Sequence, residues 1–512
     1  VALPAATTAG GPHHARELDG RVARRASPAG PDCARPVRTA APEDLRVAAP
    51  EEPRAAAPEE SRAAAPEDVH AAAPEAPDAC RVRPLEWSLL HGKVPKAVVV
   101  AAAAGMMVLL YQRSGRRTLV AFAAAVGLTA AAGLLVDDVW RPFPDSLPVS
   151  VLGWVAFGAA GLALAVVAWP GAGWRRRIVT VVAAVATVVG SALAINIYYG
   201  QFSTVRAALG ARPANQVPLA DVARHAHDLV APPHGQPLAA VWHRPAVLPD
   251  GGRLLTALIP GARSGFTARP AWIYLPPAYL TAERARLPVL ILLGGQPGSP
   301  RDWIDGGQID KVMDRFARDH DGLAPVVVIP DDLGTLLANP LCLDSRLGQV
   351  ETYLADDVPD WARTNLEVDP DLRHWAVGGY SYGGTCSLQL GVRRPDRFTT
   401  LLDISGQSEP TLGTRQATVA AAFGGDSAAF TRVNPLDILN HERFPDTVML
   451  LVAGHDDQVY GPQQRTVRAA CEKAGMSVQW WELPGGHNWQ VWGAGLVVAL
   501  PRLGARMGIT AG

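Results

Sequence analysis

The sequence predicts an α/β domain on a mostly parallel sheet, preceded by a four-helix transmembrane region and a disordered tail. Three observations carry this. Eight apolar runs of strand length, rich in Val, Ile and Leu, recur after residue 252. Four longer apolar stretches fill residues 94–199, and before them a proline returns every eighth residue. At 512 residues the chain is too long for one ordinary domain. The expected division is a tail over 1–85, four transmembrane helices over 94–199, a linker over 200–250 and the α/β domain over 251–512.

The tail is read from its repeats. "AAPEDLRV", "AAPEEPRA", "AAPEESRA" and "AAPEDVHA" set Pro42, Pro50, Pro58, Pro66 and Pro74 in phase. A proline in every octad, among Ala, Glu and Arg with almost no aromatics, supports neither an unbroken helix nor a core. An extended, partly polyproline II segment is expected. No apolar segment with a cleavage site opens the chain, so no signal peptide is expected.

The four long stretches are "VPKAVVVAAAAGMMVLLY", "TLVAFAAAVGLTAAAGLLV", "PVSVLGWVAFGAAGLALAVVAW" and "IVTVVAAVATVVGSALAINIYY". Each approaches or exceeds the roughly 20 residues that cross a bilayer's hydrocarbon. Buried helices of a soluble protein keep a polar stripe, and these have none. The connections "QRSGRR" and "GAGWRRR" are basic, whereas "DDVWRPFPDSL" is acidic. The positive-inside rule then puts both ends of the bundle, and everything after Tyr199, on the extracytoplasmic side of the cell membrane. No Asp, Glu, His or Arg lies mid-span. The bundle therefore reads as an anchor, without residues for transport or proton relay.

The strand-length runs are "RLLTALIP", "AWIYLPP", "PVLILLGG", "PVVVIPDD", "HWAVGGY", "TTLLDIS", "TVMLLVAG" and "VQWWELPG". Apolar runs without alternation suit a sheet covered on both faces. Helical patterns such as "DWIDGGQIDKVMDRFARDH" and "PQQRTVRAACEKAGM" lie between them. Residues 200–250, rich in Pro, Ala and His, are the less regular linker. Net charge is −1, which gives no reason to expect nucleic acid as a partner. Five cysteines without CxxC spacing argue against a zinc or dithiol site, and no metal or cofactor is implied.

One motif carries chemistry. Gly379-Tyr380-Ser381-Tyr382-Gly383 fits G-x-S-x-G and lies between the strand "HWAVGGY" and the helix pattern "GGTCSLQLGVRRP". In that order the glycines permit a strained turn that exposes a nucleophilic serine. Serine among glycines is also common in plain turns, so partners are required. Only His441, His455 and His487 follow Ser381. His441 precedes the strand "TVMLLVAG" that would bear the acid, and His455 sits on the acid turn itself. His487, after the last strand, keeps the order serine, acid, histidine. The acid follows "TVMLLVAG" as Asp456 or Asp457. The expected oxyanion donors are the amides of Tyr382, which follows the nucleophile, and Gln296, in the glycine-rich loop "LLGGQPGSPRDW".

With these residues in view, the region from about Arg253 to Leu503 resembles the putative-esterase family of α/β-hydrolases. That family includes feruloyl esterases, S-formylglutathione hydrolases and the secreted mycolyltransferases of the mycobacterial cell envelope. The matching motifs are "LLGGQPGSPRDW", "GGYSYGG", "GHDDQVYG" and "GGHNWQVWGAGL". Four spans followed by this domain are similar to membrane-anchored esterases of high-GC Gram-positive bacteria. The resemblance implies an α/β-hydrolase fold. Its acid turn, G-x-x-D-x-x-x-G, aligns Gly454 and Gly461 so that the acid is Asp457. The chain departs from many relatives at Gly294, where they carry histidine; the donors there are backbone amides, so the mechanism is unaffected, but the substrate does not transfer.

The resulting expectation is a membrane-anchored serine esterase that hydrolyses carboxylic esters of small-molecule or lipid substrates, with Ser381, Asp457 and His487 catalytic. The alternative is an acyltransferase acting on envelope glycolipid or sugar hydroxyls. A reading of another class is a catalytically inactive envelope scaffold. Cys342 and Cys386 either pair in an oxidising exterior, bracing the turn at Ser381, or remain two buried thiols.

Overall fold

A computed structural model describes residues 84–112, 115–140, 146–222 and 228–511. The proline-rich tail expected over 1–85 lies, but for its last two residues, outside the described residues.

Four helices follow one another: α1 (Lys93–Gln112), α2 (Arg116–Leu134), α3 (Val149–Ala168) and α4 (Trp174–Tyr199). A π-helical turn over Leu135–Trp140 extends α2. All four are long and apolar enough to cross a membrane. α4 is packed between α1 and α3, and α3 also carries α2. Small residues make many of these contacts. A Cβ on Gly190 would overlap Ala102, and one on Gly161 would overlap Thr187. Leu109 and Leu164 are buried among them, but many large side chains point the other way: Val100, Leu119 and Leu128 are 68%, 72% and 72% exposed.

The second part of the chain is built on an eight-stranded sheet. In chain order its strands are β1 (Arg253–Ala257), β2 (Ala271–Leu275), β3 (Val289–Leu293), β4 (Val326–Ile329), β5 (Ala376–Tyr380), β6 (Thr400–Ile404), β7 (Val448–Gly454) and β8 (Ser477–Leu483). They lie in the order β8-β7-β6-β5-β3-β4-β2-β1. β2 is antiparallel to both neighbours, and every other pairing is parallel. Strands β2 to β7 are buried along their whole length, as their unbroken apolar runs require. β8, at one edge, alternates between exposed and half-buried residues.

The main helices are α5 (Ile309–Asp319), α6 (Tyr382–Arg393), α7 (Tyr460–Lys473) and α8 (Trp489–Arg506). The helical pattern "DWIDGGQIDKVMDRFARDH" forms two elements: a turn over Asp302–Asp305, then α5. Gly306 and Gly307 intervene, and Gln308 adopts φ 45°, a left-handed backbone that no α-helix continues.

Residues 201–222 and 228–250, expected as a linker, are laid onto the domain. Val217 donates to the Leu254 carbonyl at 2.8 Å, and Leu238 to that of Gly508 at 2.7 Å. Leu238 and Trp242 join the core under the sheet. Their fixation has a plain cause: Trp242 buries its ring and donates its indole N–H to the Asp321 carbonyl at 3.0 Å.

Candidate active site

The loops that leave β3, β5, β7 and β8 all emerge at the carboxyl ends of parallel strands, where open α/β sheets gather their sites. They carry Gln296, Ser381, Asp457 and His487 respectively.

Ser381 is the hinge between β5 and α6. Its backbone sits at φ 54°, ψ −120°, which is strained for a residue with a Cβ. The turn is held by the Ser381 amide, which donates to the Ile404 carbonyl at 2.8 Å. Glycine is obligatory on both sides. A Cβ on Gly379 would lie 2.5 Å from the Gly383 backbone, and one on Gly383 would lie 2.5 Å from the Gly294 carbonyl oxygen. The second contact matters for chemistry, because it presses the start of α6 against the Gln296 loop.

Asp457, His487 and Ser381 form one hydrogen-bonded line. His487 Nδ1 lies 3.0 Å from Asp457 Oδ2, and Nε2 lies 2.9 Å from Ser381 Oγ. A carboxylate only accepts, so Nδ1 carries the proton and Nε2 accepts from the hydroxyl. The other Asp457 oxygen accepts from the amides of Tyr460, at 2.9 Å, and Val459, at 3.3 Å. Asp457 is buried, whereas Asp456 is exposed, its amide donating to the Gly485 carbonyl. His455 is also exposed and meets Glu482 at 3.2 Å. His441 closes the exposed end of a helix over Pro435–His441. Of the three histidines, His487 is the one that reaches Ser381.

The imidazole is boxed by rings that sequence reasoning did not single out. Tyr460 stacks on it at 3.8 Å between centroids, and Trp492 meets it edge-on at 5.0 Å. The signal was present in "GHNWQVW", whose Trp489 and Trp492 begin α8. Tyr380, next to the serine, packs in turn on Trp489 and Trp492.

On the oxyanion side, Tyr382 supplies the first amide of α6, where helix N–H groups have no intrahelical acceptor. Its hydroxyl accepts from the Cys342 amide at 2.9 Å. In the β3 loop, Gly294 donates its amide to Asp332 at 3.0 Å, and Gly295 donates to the Tyr380 hydroxyl. Both amides therefore serve the scaffold, and Gln296 follows them. The Gln296 side chain is pinned as well, donating to the Leu337 carbonyl at 3.1 Å. Complete burial raises the Asp332 carboxyl well above the usual carboxylate range, and the charge of Asp331 adds to the effect. Asp331 itself is paired with Arg269 at 2.6 Å.

Cys342 and Cys386 are joined in a disulfide with Cα atoms 5.5 Å apart, tying the loop after β4 to α6. Asp332 lies beside these two sulfurs, but their bond to each other leaves no thiolate pair for a metal. The arrangement can deprotonate a serine hydroxyl, hold the resulting imidazolium against a carboxylate and offer amides to an oxyanion.

Residues 267–503 match the family described as Putative esterase. Over 425 residues the chain is 35% identical to an uncharacterized protein of Corynebacterium glutamicum, covering 80% of this chain and 94% of that one. An alignment of that extent necessarily takes in most of the four long helices as well as the sheet domain. Among solved structures, a ferulic acid esterase superposes with a TM-score of 0.44 at 20% identity, over 50% of this chain and 98% of that one. An S-formylglutathione hydrolase from Agrobacterium tumefaciens gives 0.43 at 17% identity, over 51% and 99%.

Proposed function

The chain belongs to the putative-esterase family of α/β-hydrolases, and from that membership we propose a serine esterase, held in the cell membrane by α1–α4, that hydrolyses carboxylic esters on the extracytoplasmic side. The observation that carries the reading is the Asp457–His487–Ser381 line, with contacts of 3.0 and 2.9 Å.

The chemistry follows from those contacts. His487 Nε2 takes the hydroxyl proton as Ser381 Oγ attacks the ester carbonyl, and Asp457 steadies the imidazolium. The amides of Tyr382 and Gln296 hold the oxyanion, each such donor being worth about 3–4 kcal/mol in the transition state. The tetrahedral species collapses, His487 returns the proton to the departing alcohol, and an acyl-serine remains. Water, deprotonated by the same histidine, then attacks that acyl-serine and releases the acid. An acceptor alcohol in place of water makes the same intermediate an acyl-transfer donor, which product analysis with an acceptor sugar distinguishes from hydrolysis.

A fluorophosphonate probe tests the serine. Wild-type protein should be labelled and should turn over a simple aryl ester, and Ser381→Ala, folded, should do neither. Retained turnover in that variant defeats the mechanism. Topology is tested by single cysteines in intact cells. Positions in "DDVWRPFPDSL" and on the sheet domain should react with an impermeant maleimide, and one in "QRSGRR" should not; the opposite pattern places the site in the cytoplasm.

A further inference from the structure

The segment that leaves the last long helix runs directly into the scaffold of the site. Gly200 ends α4 in the left-handed conformation, at φ 73°, and a Cβ there would meet the Trp489 Cβ at 3.0 Å. Asn196 clamps the exit: its side chain accepts from the Phe202 amide at 2.7 Å and donates to the Phe202 carbonyl at 2.9 Å. Asn488, the residue after His487, donates to the Tyr198 carbonyl at 3.2 Å. Between these contacts Gln201 reaches two loops at once. Its Nε2 donates to Asp302 Oδ1 at 2.9 Å, and its Oε1 accepts from the Trp489 indole N–H at 2.9 Å.

An indole nitrogen only donates, so the amide oxygen must face Trp489 and the amide nitrogen must face Asp302. A side chain with one acceptor and two donors in a fixed plane suits that position. Both contacts lead to the site. Asp302 belongs to the loop that carries Gln296, and it accepts from the Ser299 amide at 2.9 Å and from the Tyr380 hydroxyl, one residue before Ser381. Trp489 lies two residues after His487, with its ring against Tyr380 at 4.6 Å and Trp303 at 5.3 Å. Burial raises the Asp302 carboxyl above its ordinary range, so each donor it receives counts toward keeping that loop in place.

We propose that Gln201 is a positioning residue that couples the end of α4 to both the histidine loop and the oxyanion loop, so that alignment of the site depends on the junction with the long helices. The proposal rests on the reading of Ser381, Asp457 and His487 as catalytic.

The test uses the full chain in detergent. Gln201→Leu removes both bonds at similar volume, and Trp489→Phe keeps a ring while deleting the indole donor. Each should lower kcat between about tenfold and 100-fold, the scale of a misplacement near 1 Å, with KM within about twofold. The rate of fluorophosphonate labelling should fall in proportion. The double variant should be no slower than the slower single one, because both changes break the same link. Equal melting temperatures exclude a loss of folded protein, and if Gln201→Leu cannot be recovered folded, Trp489→Phe carries the test alone. A labelled wild type whose variants keep their kcat, or whose losses multiply in the double variant, overturns the coupling and leaves the esterase reading standing. A wild type that neither labels nor loses turnover in Ser381→Ala overturns the esterase reading, and the coupling falls with it.

Discussion

The helical bundle and the sheet domain are packed differently. In the sheet domain large side chains go inside: Val289, Leu292, Leu402 and Leu450 are wholly buried. In the bundle, Ala102, Gly105, Gly161 and Gly190 lie between helices while Leu119, Leu128 and Val166 face outward. Water expels leucine from a surface, but hydrocarbon does not, so only close fit distinguishes inside from outside in a membrane. On the proposed membrane reading, the bundle is read from what its helices leave out, and the sheet from what its strands put in. The proposed chemistry follows the same division, since Ser381, Asp457 and His487 all stand on loops of the sheet.

The largest expected effects test that division. Asp457→Asn should cut turnover about 10⁴-fold, as loss of the acid does in the serine-protease template. Asp456→Asn, one residue away and exposed, should stay within about tenfold. Steady-state kinetics on both variants decide the register, and a greater loss at Asp456 moves the acid there.

Next comes the cost of a cavity. Leu402→Ala, at the centre of the sheet, should destabilise the domain by about 2–5 kcal/mol, read as a lower denaturation midpoint. Leu119→Ala, equally large a truncation but on the outer face of α2, should leave the bundle's stability in detergent unchanged. If the two cost the same, the outer face of the bundle is covered by something other than acyl chains. A smaller penalty is expected for the reverse change. Gly190→Leu forces α4 away from Ala102 and should cost about 1–3 kcal/mol, measured by thermal release of the bundle.

The smallest effect concerns pH. Burial lifts the Asp403 carboxyl, on β6, to about 7, against hydrogen bonds from Gln464 and Gly406 that favour its charge. The folded state thus holds this proton more tightly than the unfolded chain. Stability from this group is full below about pH 4 and is lost as pH rises toward and through 7. Between pH 6 and 8 the loss should be on the order of 1 kcal/mol, or about 2–4 °C in Tm. Asp403→Asn should flatten that slope, and an unchanged slope assigns it to another group.

Much of this was legible. All eight apolar runs are strands of the one sheet, because strands buried on both faces announce themselves by composition. The place of Ser381 between a strand and a helix was legible from its G-x-S-x-G pattern, and the approach of His487 to it from chain order. The antiparallel placement of β2 was not, since pairing direction leaves no period in a fully buried run. Nor was the packing of residues 201–222 and 228–250 onto the domain, because Leu238 and Trp242 stand singly among prolines and display no repeating face. Tyr460 was hidden for a related reason: it opens α7 and meets His487 from a distant part of the chain, and nothing local in the sequence links them.

The Cys342–Cys386 bond closes a loop across a sequence separation of 44. Such a closure removes about 4 kcal/mol of freedom from the unfolded chain in the entropic account. It also clips the segment whose Cys342 amide meets the Tyr382 hydroxyl, so the clip and the amide that follows Ser381 share one residue's surroundings. Glutathione and thioredoxin keep such thiols apart in a cytosol. The choice of expression host thus decides which of two molecules is purified: one whose nucleophile turn is stapled, or one that has only packing to hold it.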